Sequence, residues 1–217
     1  MPNPRLPDPL SLAVIVPATD RPPTLGRCLA ALRASTAAPE ELIVIDRPPG
    51  AGPAAARNAG AESVASELVA FVDADVEVWP DALGRLRERL TADPGLVAAF
   101  GSYDDAPAAP GAVSRFRNLL HHHVHTASPG PAETFWAGLG AVRRDAFLAV
   151  GGFAADRYPE PAIEDIELGM RLRAAGGRIE LDPWSRGTHH KRWSLAEMVR
   201  TDLLRRGIPW VRLRLER

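Results

Sequence analysis

Four short apolar runs alternate with helix-like stretches in the first half of the chain, and this alternation limits the possible folds most strongly. The runs are LAVIVP (Leu12–Pro17), ELIVID (41–46), LVAFVDAD (68–75) and LVAAFGS (96–102). They are too short for helices and rich in β-branched residues, which predicts buried strands. Strands that alternate with helices predict an α/β fold: a mostly parallel sheet with helices on both faces.

The second half of the chain has a less regular pattern. Residues 135–142 are strand-like and residues 178–181 predict a short strand, whereas TASPGPAE (126–133) predicts a flexible linker that can act as a lid. The predicted helices are 25–32 after a Thr24 cap, 54–64, 80–90, 112–125, a short one from Asp145, 163–176, and 195–206 after a Ser194 cap.

Composition excludes several classes of protein. The 217 residues carry 26 basic and 27 acidic side chains, and a net charge of −1 excludes a protein that coats nucleic acid. A hydrophobic content of 46% excludes a mainly disordered chain. The single cysteine, Cys28, excludes an internal disulfide and a cysteine-based zinc site, and it fits a reducing compartment. The sequence shows neither a signal peptide nor a run of about 18 apolar residues, so we expect a cytoplasmic protein.

Three carboxylates follow predicted strands. Asp46 comes after the second strand, and Asp73 and Asp75 come after the third. Because ligands bind at the carboxyl ends of the strands in such sheets, we expect all three carboxylates at one rim. Two oxygen ligands at positions i and i+2 suit Mg²⁺ or Mn²⁺ bridging phosphate oxygens. Capping of the next helix is the alternative role for Asp73 and Asp75.

Two acidic residues, Glu164 and Asp165, open a predicted helix. The helix dipole alone favours acids at this position, but a carboxylate that faces a cleft there can act as a general base. Four histidines in HHHVH (121–125) can bind a metal, yet a plain helix face or the lining of an acceptor site is the simpler interpretation.

The segment THHKRW (188–193) combines several types of binding group. His189 can supply a metal ligand, Lys191 and Arg192 can hold a diphosphate, and Trp193 can form an apolar wall. Each of these residues taken alone is equally compatible with an ordinary surface position.

In chain order, these pieces resemble one family. The order is a strand ending at Pro17, Asp46, RNAG (57–60), VDADVE (72–77), FWAGLGAVRRDAFLAVGGF (135–153) and EDIELGMRLRAAGGRI (164–179). The combination closely resembles a family 2 glycosyltransferase with the GT-A fold, over about residues 12–193. The resemblance implies an inverting enzyme that moves a sugar from a nucleotide-diphosphate sugar to a hydroxyl or lipid-phosphate acceptor, with Mn²⁺ or Mg²⁺ as cofactor.

The resemblance also implies roles for individual residues. A nucleotide-binding half would span 11–103 and an acceptor and catalytic half 104–193. The donor-binding residues would be Pro17, Ala18, Asp46, Arg57, Asp73, Lys191 and Arg192. The metal ligands would be Asp75, Asp73 and His189. Asp165 would be the catalytic base, with Glu164 beside it, and Trp136, Gly138 and Trp193 would contact the acceptor. Many relatives have D-D-G-S where this chain has Asp46-Arg47-Pro48-Pro49, so base recognition differs here. The acceptor itself stays open among a polysaccharide, a lipid carrier and a small molecule.

The two ends of the chain have distinct compositions. Residues 1–10 are proline-rich, which predicts a flexible segment. Residues 194–217 predict a basic, amphipathic helical tail, since nine basic and three acidic residues lie between Arg186 and Arg217. Two interpretations of the tail have equal weight: an interfacial helix on the inner face of the plasma membrane, or a helix packed on the domain with its arginines outward.

Other classes of protein fit single motifs. VAFVDADVEV also resembles the first motif of haloacid-dehalogenase-type phosphatases, but these need a downstream lysine, and the chain has only Lys191. A nucleotidyltransferase would need a glycine-rich basic loop after the first strand, where this chain has PATDRPPTLG. A non-catalytic nucleotide-sugar-binding module is a further alternative, although the joint presence of Asp75, Asp165 and His189 argues against it.

Overall fold

The computed structural model describes residues 8–216, which form one sheet flanked by helices. The strands are β1 (Leu12–Pro17), β2 (Glu41–Ile45), β3 (Leu68–Val72), β4 (Val76–Val78), β5 (Leu96–Tyr103), β6 (Gly130–Ala132), β7 (Leu139–Arg143) and β8 (Arg178–His189). The helices are α1 (Leu25–Arg33), α2 (Gly52–Ser63), α3 (Ala82–Ala92), α4 (Ala112–Ala127), α5 (Arg144–Ala149), α6 (Glu164–Ala174), α7 (Leu195–Arg200) and α8 (Ile208–Leu215). A π-helical segment, Thr201–Gly207, joins α7 to α8, and we call residues 195–215 together the C-terminal helix.

The strands pair in the order β2-β1-β3-β7-β5-β8-β4, and β6 pairs with β8 at its edge. Strands β1, β2, β3, β5 and β8 point the same way, because β1 is parallel to β2 and β3, β7 is antiparallel to both β3 and β5, and β8 is parallel to β5. The predicted α/β fold with a mostly parallel sheet is confirmed. The carboxyl ends of β1, β3 and β5 therefore meet at one rim.

Helices cover both faces of the sheet, as predicted. Alternate residues of β1 point to opposite faces, so Val14 packs with α1 and α3, whereas Ile15 packs with α2, α5 and α6. Both residues are fully buried. This double burial explains why β1 and β3 appear in the sequence as continuous apolar runs rather than as alternating patterns.

Three predicted elements differ in the structure. Strand β2 is half-buried rather than buried, because it forms the edge of the sheet. The predicted strand 135–142 begins only at Leu139, since residues 135–138 form a loop. The predicted flexible linker 126–133 is largely ordered: α4 continues to Ala127, and β6 pairs with β8 because the edge of β8 offers unpaired backbone groups there.

Two elements near the C-terminus are longer than predicted. Strand β8 runs for 12 residues instead of four, and it continues past Pro183 where its register against β5 shifts. Such irregularities tolerate a proline that cannot donate to the ladder. The last helix continues to Leu215 instead of ending at Arg206, because the π-helical turn precedes Pro209 and accommodates its missing N–H.

The structure describes most of the predicted C-terminal tail but little of the predicted N-terminal segment. Residues 1–7 of the predicted flexible segment and residue 217 lie outside the described residues. Ser194 caps the C-terminal helix as predicted, in a capping box with Glu197. Among the helices of residues 8–216, none combines the length and the apolar character that a membrane crossing requires.

Candidate active site

A cavity of about 930 Å³ lies at the rim where the carboxyl ends of β1, β3 and β5 meet. This is the position that the sheet topology predicts for a ligand site. Most of the predicted site residues line it. They are Pro17, Arg57, Asp73, Asp75, Trp136, Gly138, Glu164, Asp165, His189, Lys191 and Trp193.

Three predicted site residues are not part of the cavity lining. Ala18 is fully buried behind it, and its N–H donates to the Ile45 carbonyl. Asp46 is half-exposed and lies 4.0 Å from Arg47. Arg192 is exposed to solvent. The structure therefore gathers the predicted catalytic and metal residues at one place, but it leaves Asp46 and Arg192 outside.

Arg57 on α2 connects the two halves of the site. Its guanidinium is only 4% exposed and donates to Asp73 at 2.7 Å and to Glu164 at 3.0 Å. Asp73 follows β3, and Glu164 opens α6, so a single buried cation holds the two elements together. Burial raises the pKa of Asp73 even though Arg57 opposes this shift. Removing Arg57 would leave the buried Glu164 carboxylate and the partly exposed Asp73 carboxylate without their cation.

Asp75 and His189 meet on the other side of Asp73. The side-chain contact measures 3.5 Å between the Asp75 carboxylate and His189 Nε2. Pairing of β4 with β8 sets this geometry, since Val76 lies opposite His189 and the His190 N–H donates to the Asp75 carbonyl. Burial opposes ionisation, but the hydrogen bond and charge of His189, together with the charge of Lys191 and a backbone hydrogen bond, outweigh it and hold the pKa of Asp75 below its usual value.

The donor set fits a divalent cation that takes most of its ligands from a substrate. Within residues 8–216, no three His, Cys, Asp or Glu side chains are arranged to hold a metal. Asp75 and His189 nevertheless offer one oxygen and one nitrogen side by side, whereas Asp73 is bound to Arg57. Mg²⁺ and Mn²⁺ commonly use one or two protein ligands together with phosphate oxygens and water. The pair Asp75–His189 has this character.

Asp165 presents its carboxyl group to the cavity at the start of α6. One oxygen accepts from the Ala137 N–H at 3.3 Å and the other from the Ile166 N–H at 2.8 Å. Burial, reinforced by the neighbouring Glu164, raises the pKa of Asp165 from 3.8 to about 7. A carboxyl with a pKa near neutrality is suited to exchange a proton with a bound ligand.

Comparison with known proteins identifies the family. The model described as "Glycosyl transferase family 2" matches residues 44–150, which include Arg57, Asp73 and Asp75. Residues 44–150 of the chain thus carry a family 2 glycosyltransferase domain. The family and the enzyme class expected from the sequence are thereby confirmed.

One curated protein shares part of its sequence with this chain. The pre-mycofactocin glycosyltransferase of Mycobacterium tuberculosis is 27% identical over 171 residues, which cover 73% of this chain and 34% of that protein. The chain thus spans about a third of the length of its curated relative.

The solved structures confirm the GT-A fold. The mannosyltransferase PcManGT from Pyrobaculum calidifontis, in complex with GDP-Man and Mn²⁺, has a TM-score of 0.65 and 20% identity, over 92% of this chain and 63% of that one. GalNAc-T7 with UDP, GalNAc and Mn²⁺ has a TM-score of 0.63 and 15% identity, over 91% of this chain and 48% of that one.

An aromatic wall of this glycosyltransferase cavity includes a residue that was not predicted. Tyr103 stacks flat on His189, with ring centroids 4.1 Å apart and planes 8° apart, and its other contacts are His121 at 4.3 Å and Trp136 at 4.9 Å. His121 contacts His125 at 4.0 Å, and burial lowers the pKa of both histidines, so they are neutral. Tyr103 ends β5, so applying the carboxyl-end rule to that strand would have found it.

The C-terminal helix closes one side of the cavity, which the sequence analysis also missed. Thr201, Asp202, Arg205, Arg206 and Trp210 line the cavity from this helix. Leu213 is buried against Tyr158 and Ile163, just before α6, and it fixes the helix beside the site. The mixture of arginines and apolar residues in the tail gave no signal of which residues point inward.

Proposed function

We propose that this chain transfers a glycosyl group, with inversion, from a nucleotide-diphosphate sugar to a hydroxyl or lipid-phosphate acceptor. The observation that carries the proposal is the position of Asp165, whose carboxyl faces the same cavity as Arg57, Asp73 and Asp75. A base and a donor-binding rim that share one cavity are what direct displacement requires. The Mn²⁺-bound and nucleotide-bound structural relatives support the same type of donor.

The donor end of the cavity has groups of suitable chemistry for each part of a nucleotide sugar. Pro17, at the end of β1, offers an apolar surface for the base. Lys191, whose ammonium lies 4.5 Å from the Trp193 ring, is placed to attract a diphosphate. Asp75 and His189 are the residues that would hold Mn²⁺ or Mg²⁺. The cation would supply positive charge to stabilise the leaving nucleoside diphosphate.

The chemical step needs one proton acceptor. The acceptor hydroxyl oxygen forms a bond to the anomeric carbon while the bond from that carbon to the diphosphate oxygen breaks, and the hydroxyl proton passes to the Asp165 carboxylate. The Ala137 N–H orients the carboxylate. Glu164 is bound to Arg57 and has a positioning role. A lipid-phosphate acceptor is already ionised and would need less help from Asp165.

The acceptor region is proposed to be the aromatic wall. Trp136 contacts both Tyr103 and His121, and Gly138 lies under its ring: a Cβ at Gly138 would come within 2.4 Å of Trp136. A flat aromatic surface beside a carboxylate suits the apolar face of a sugar ring or a polyprenyl chain. We propose that the reaction takes place in the cytoplasm, on the basis of the single cysteine.

The proposal is tested with a panel of nucleotide-diphosphate sugars in thermal-shift measurements, with and without Mn²⁺. A ligand that binds only the folded state must raise the melting temperature. We expect a Mn²⁺-dependent shift for one donor, lost in Asp75→Asn and kept in Asp105→Asn, which changes an exposed acid outside the cavity. Folded protein that responds to no donor would contradict the proposal.

A further inference from the structure

Exposed apolar side chains are concentrated on two helices. Of the fourteen large hydrophobic side chains exposed in residues 8–216, eleven lie on α4 or on the C-terminal helix. Four of them, Phe116, Leu119, Leu120 and Val124, are on α4. The other seven lie between Leu195 and Leu215. Single exposed apolar residues are normal, but a concentrated patch marks a binding surface.

An ion pair joins the two helices and brings their exposed apolar residues to neighbouring parts of the surface. Arg117 of α4 forms a bidentate salt bridge with Asp202 of the C-terminal helix, with N–O distances of 2.8 and 2.7 Å. Leu120 lies three residues after Arg117, and Val199 lies three residues before Asp202. Helical spacing therefore places Leu120 and Val199 beside this contact. We call the exposed apolar residues of both helices the two-helix surface.

Positive charge surrounds the two-helix surface. Between residues 191 and 216 the chain carries seven basic and three acidic side chains. Six of the basic ones are exposed; of these, Lys191 and Arg206 line the cavity, whereas Arg192, Arg200, Arg212 and Arg214 lie outside it. A second copy of the chain is a poor occupant, because a symmetric dimer would bring these like charges together. Basic residues around exposed leucines instead match an anionic lipid headgroup layer over an apolar interior.

We propose that the two-helix surface binds the face of an anionic lipid bilayer. The inference goes beyond the proposed function, because the surface lies outside the cavity. The opposite side of the same helix lines the cavity through Thr201, Arg205 and Trp210, so docking would hold the cavity beside the lipid headgroups. It also gives a physical basis to the expected position at the inner face of the plasma membrane.

The test is flotation of the whole chain with vesicles of phosphatidylcholine, with and without phosphatidylglycerol. We expect binding only to the vesicles that contain phosphatidylglycerol, and weaker binding at high salt. The double variant Leu120→Ser with Leu203→Ser should reduce the partition coefficient about tenfold or more. Both side chains are exposed, so the fold should survive. Trp184→Ser, which removes a 60% exposed side chain from β8, is the matched control and should bind like the wild type.

Three results would overturn the proposal. These are no flotation with either vesicle, equal flotation of the double variant, and a dimer in solution that the double variant converts to a monomer. The donor thermal shift, measured on the same samples, separates this proposal from the proposed function. A double variant that keeps its donor shift but loses flotation supports the surface. Flotation without any donor shift would contradict the transferase and leave the surface standing.

Discussion

Replacing Asp165 by asparagine should make the protein gain stability relative to the wild type as the pH rises toward neutrality, while it removes activity. The raised pKa of Asp165 means that the folded protein disfavours the carboxylate form that a base must have. Asparagine keeps the size and carries no charge at any pH. Its single amide oxygen can accept only one of the two backbone hydrogen bonds that the carboxyl oxygens accept from Ala137 and Ile166, and this loss does not vary with pH. Active sites typically contain a group of this kind: its ionised form lowers the stability of the fold, but the reaction needs that form.

The magnitude follows from the pKa. Between pH 3.8 and about 7, folded Asp165 keeps a proton that the unfolded chain has lost, so the wild type loses stability relative to the variant as the pH rises. A shift of about three units corresponds to at most about 4 kcal/mol. Water in the open cavity solvates the carboxylate, and we expect about 1–2 kcal/mol of this to be measured.

Urea denaturation of wild type and Asp165→Asn, between about pH 5 and pH 8, measures this difference. The variant should gain stability relative to the wild type as the pH rises and reach a plateau above about pH 7. Asp105→Asn, at an exposed site, should show no such trend. Transfer by the variant should fall by roughly 10²–10⁴-fold. A stability difference that does not change with pH would refute the reasoning about the buried carboxyl.

Two further substitutions test how the site is held together. Arg57→Met should lower the free energy of unfolding by about 3–5 kcal/mol, because it leaves the buried Glu164 carboxylate, and the partly exposed Asp73 carboxylate beside it, without their cation. A loss below about 1 kcal/mol in urea would contradict this. Tyr103→Leu should weaken Mn²⁺ binding about tenfold in the presence of GDP or UDP, because it removes the ring stacked on His189. Electron paramagnetic resonance of Mn²⁺ measures this affinity. Tyr103→Phe should keep the wild-type affinity, because it keeps the ring stacked on His189.

The elements that could be predicted are those whose local pattern agrees with their final surroundings. Strands β1 and β3 are buried on both faces, so their continuous apolar runs indicated them directly. The carboxylates Asp73 and Asp75 could be placed because the rule about strand ends needs only strand order. Glu164 and Asp165 were placed by resemblance, since the dipole explanation of acids at a helix start could not decide between capping and catalysis.

The elements that could not be predicted depend on contacts distant in sequence. Strand β8 continues through Asp182-Pro183, a local turn signal, because β5 and β4 pair with it on either side of the irregularity. Gly207 and Pro209 indicated a helix end, yet burial of Leu213 outweighs them. The sequence also did not indicate which face of the C-terminal helix points to the cavity, because the arginines of this helix are distributed around its whole circumference.

The loop 135–138 explains why the proposed base, Asp165, and the carboxylate of Asp73 keep a fixed separation. It precedes β7, the antiparallel strand inserted between β3 and β5. The Gly138 carbonyl accepts from the Asp73 N–H at 3.1 Å, and the Ala137 N–H donates to Asp165. Trp136 packs across Gly138 toward the aromatic wall. One short loop thus contacts the donor rim, the proposed base and the proposed acceptor wall, and a side chain at Gly138 would displace all three together.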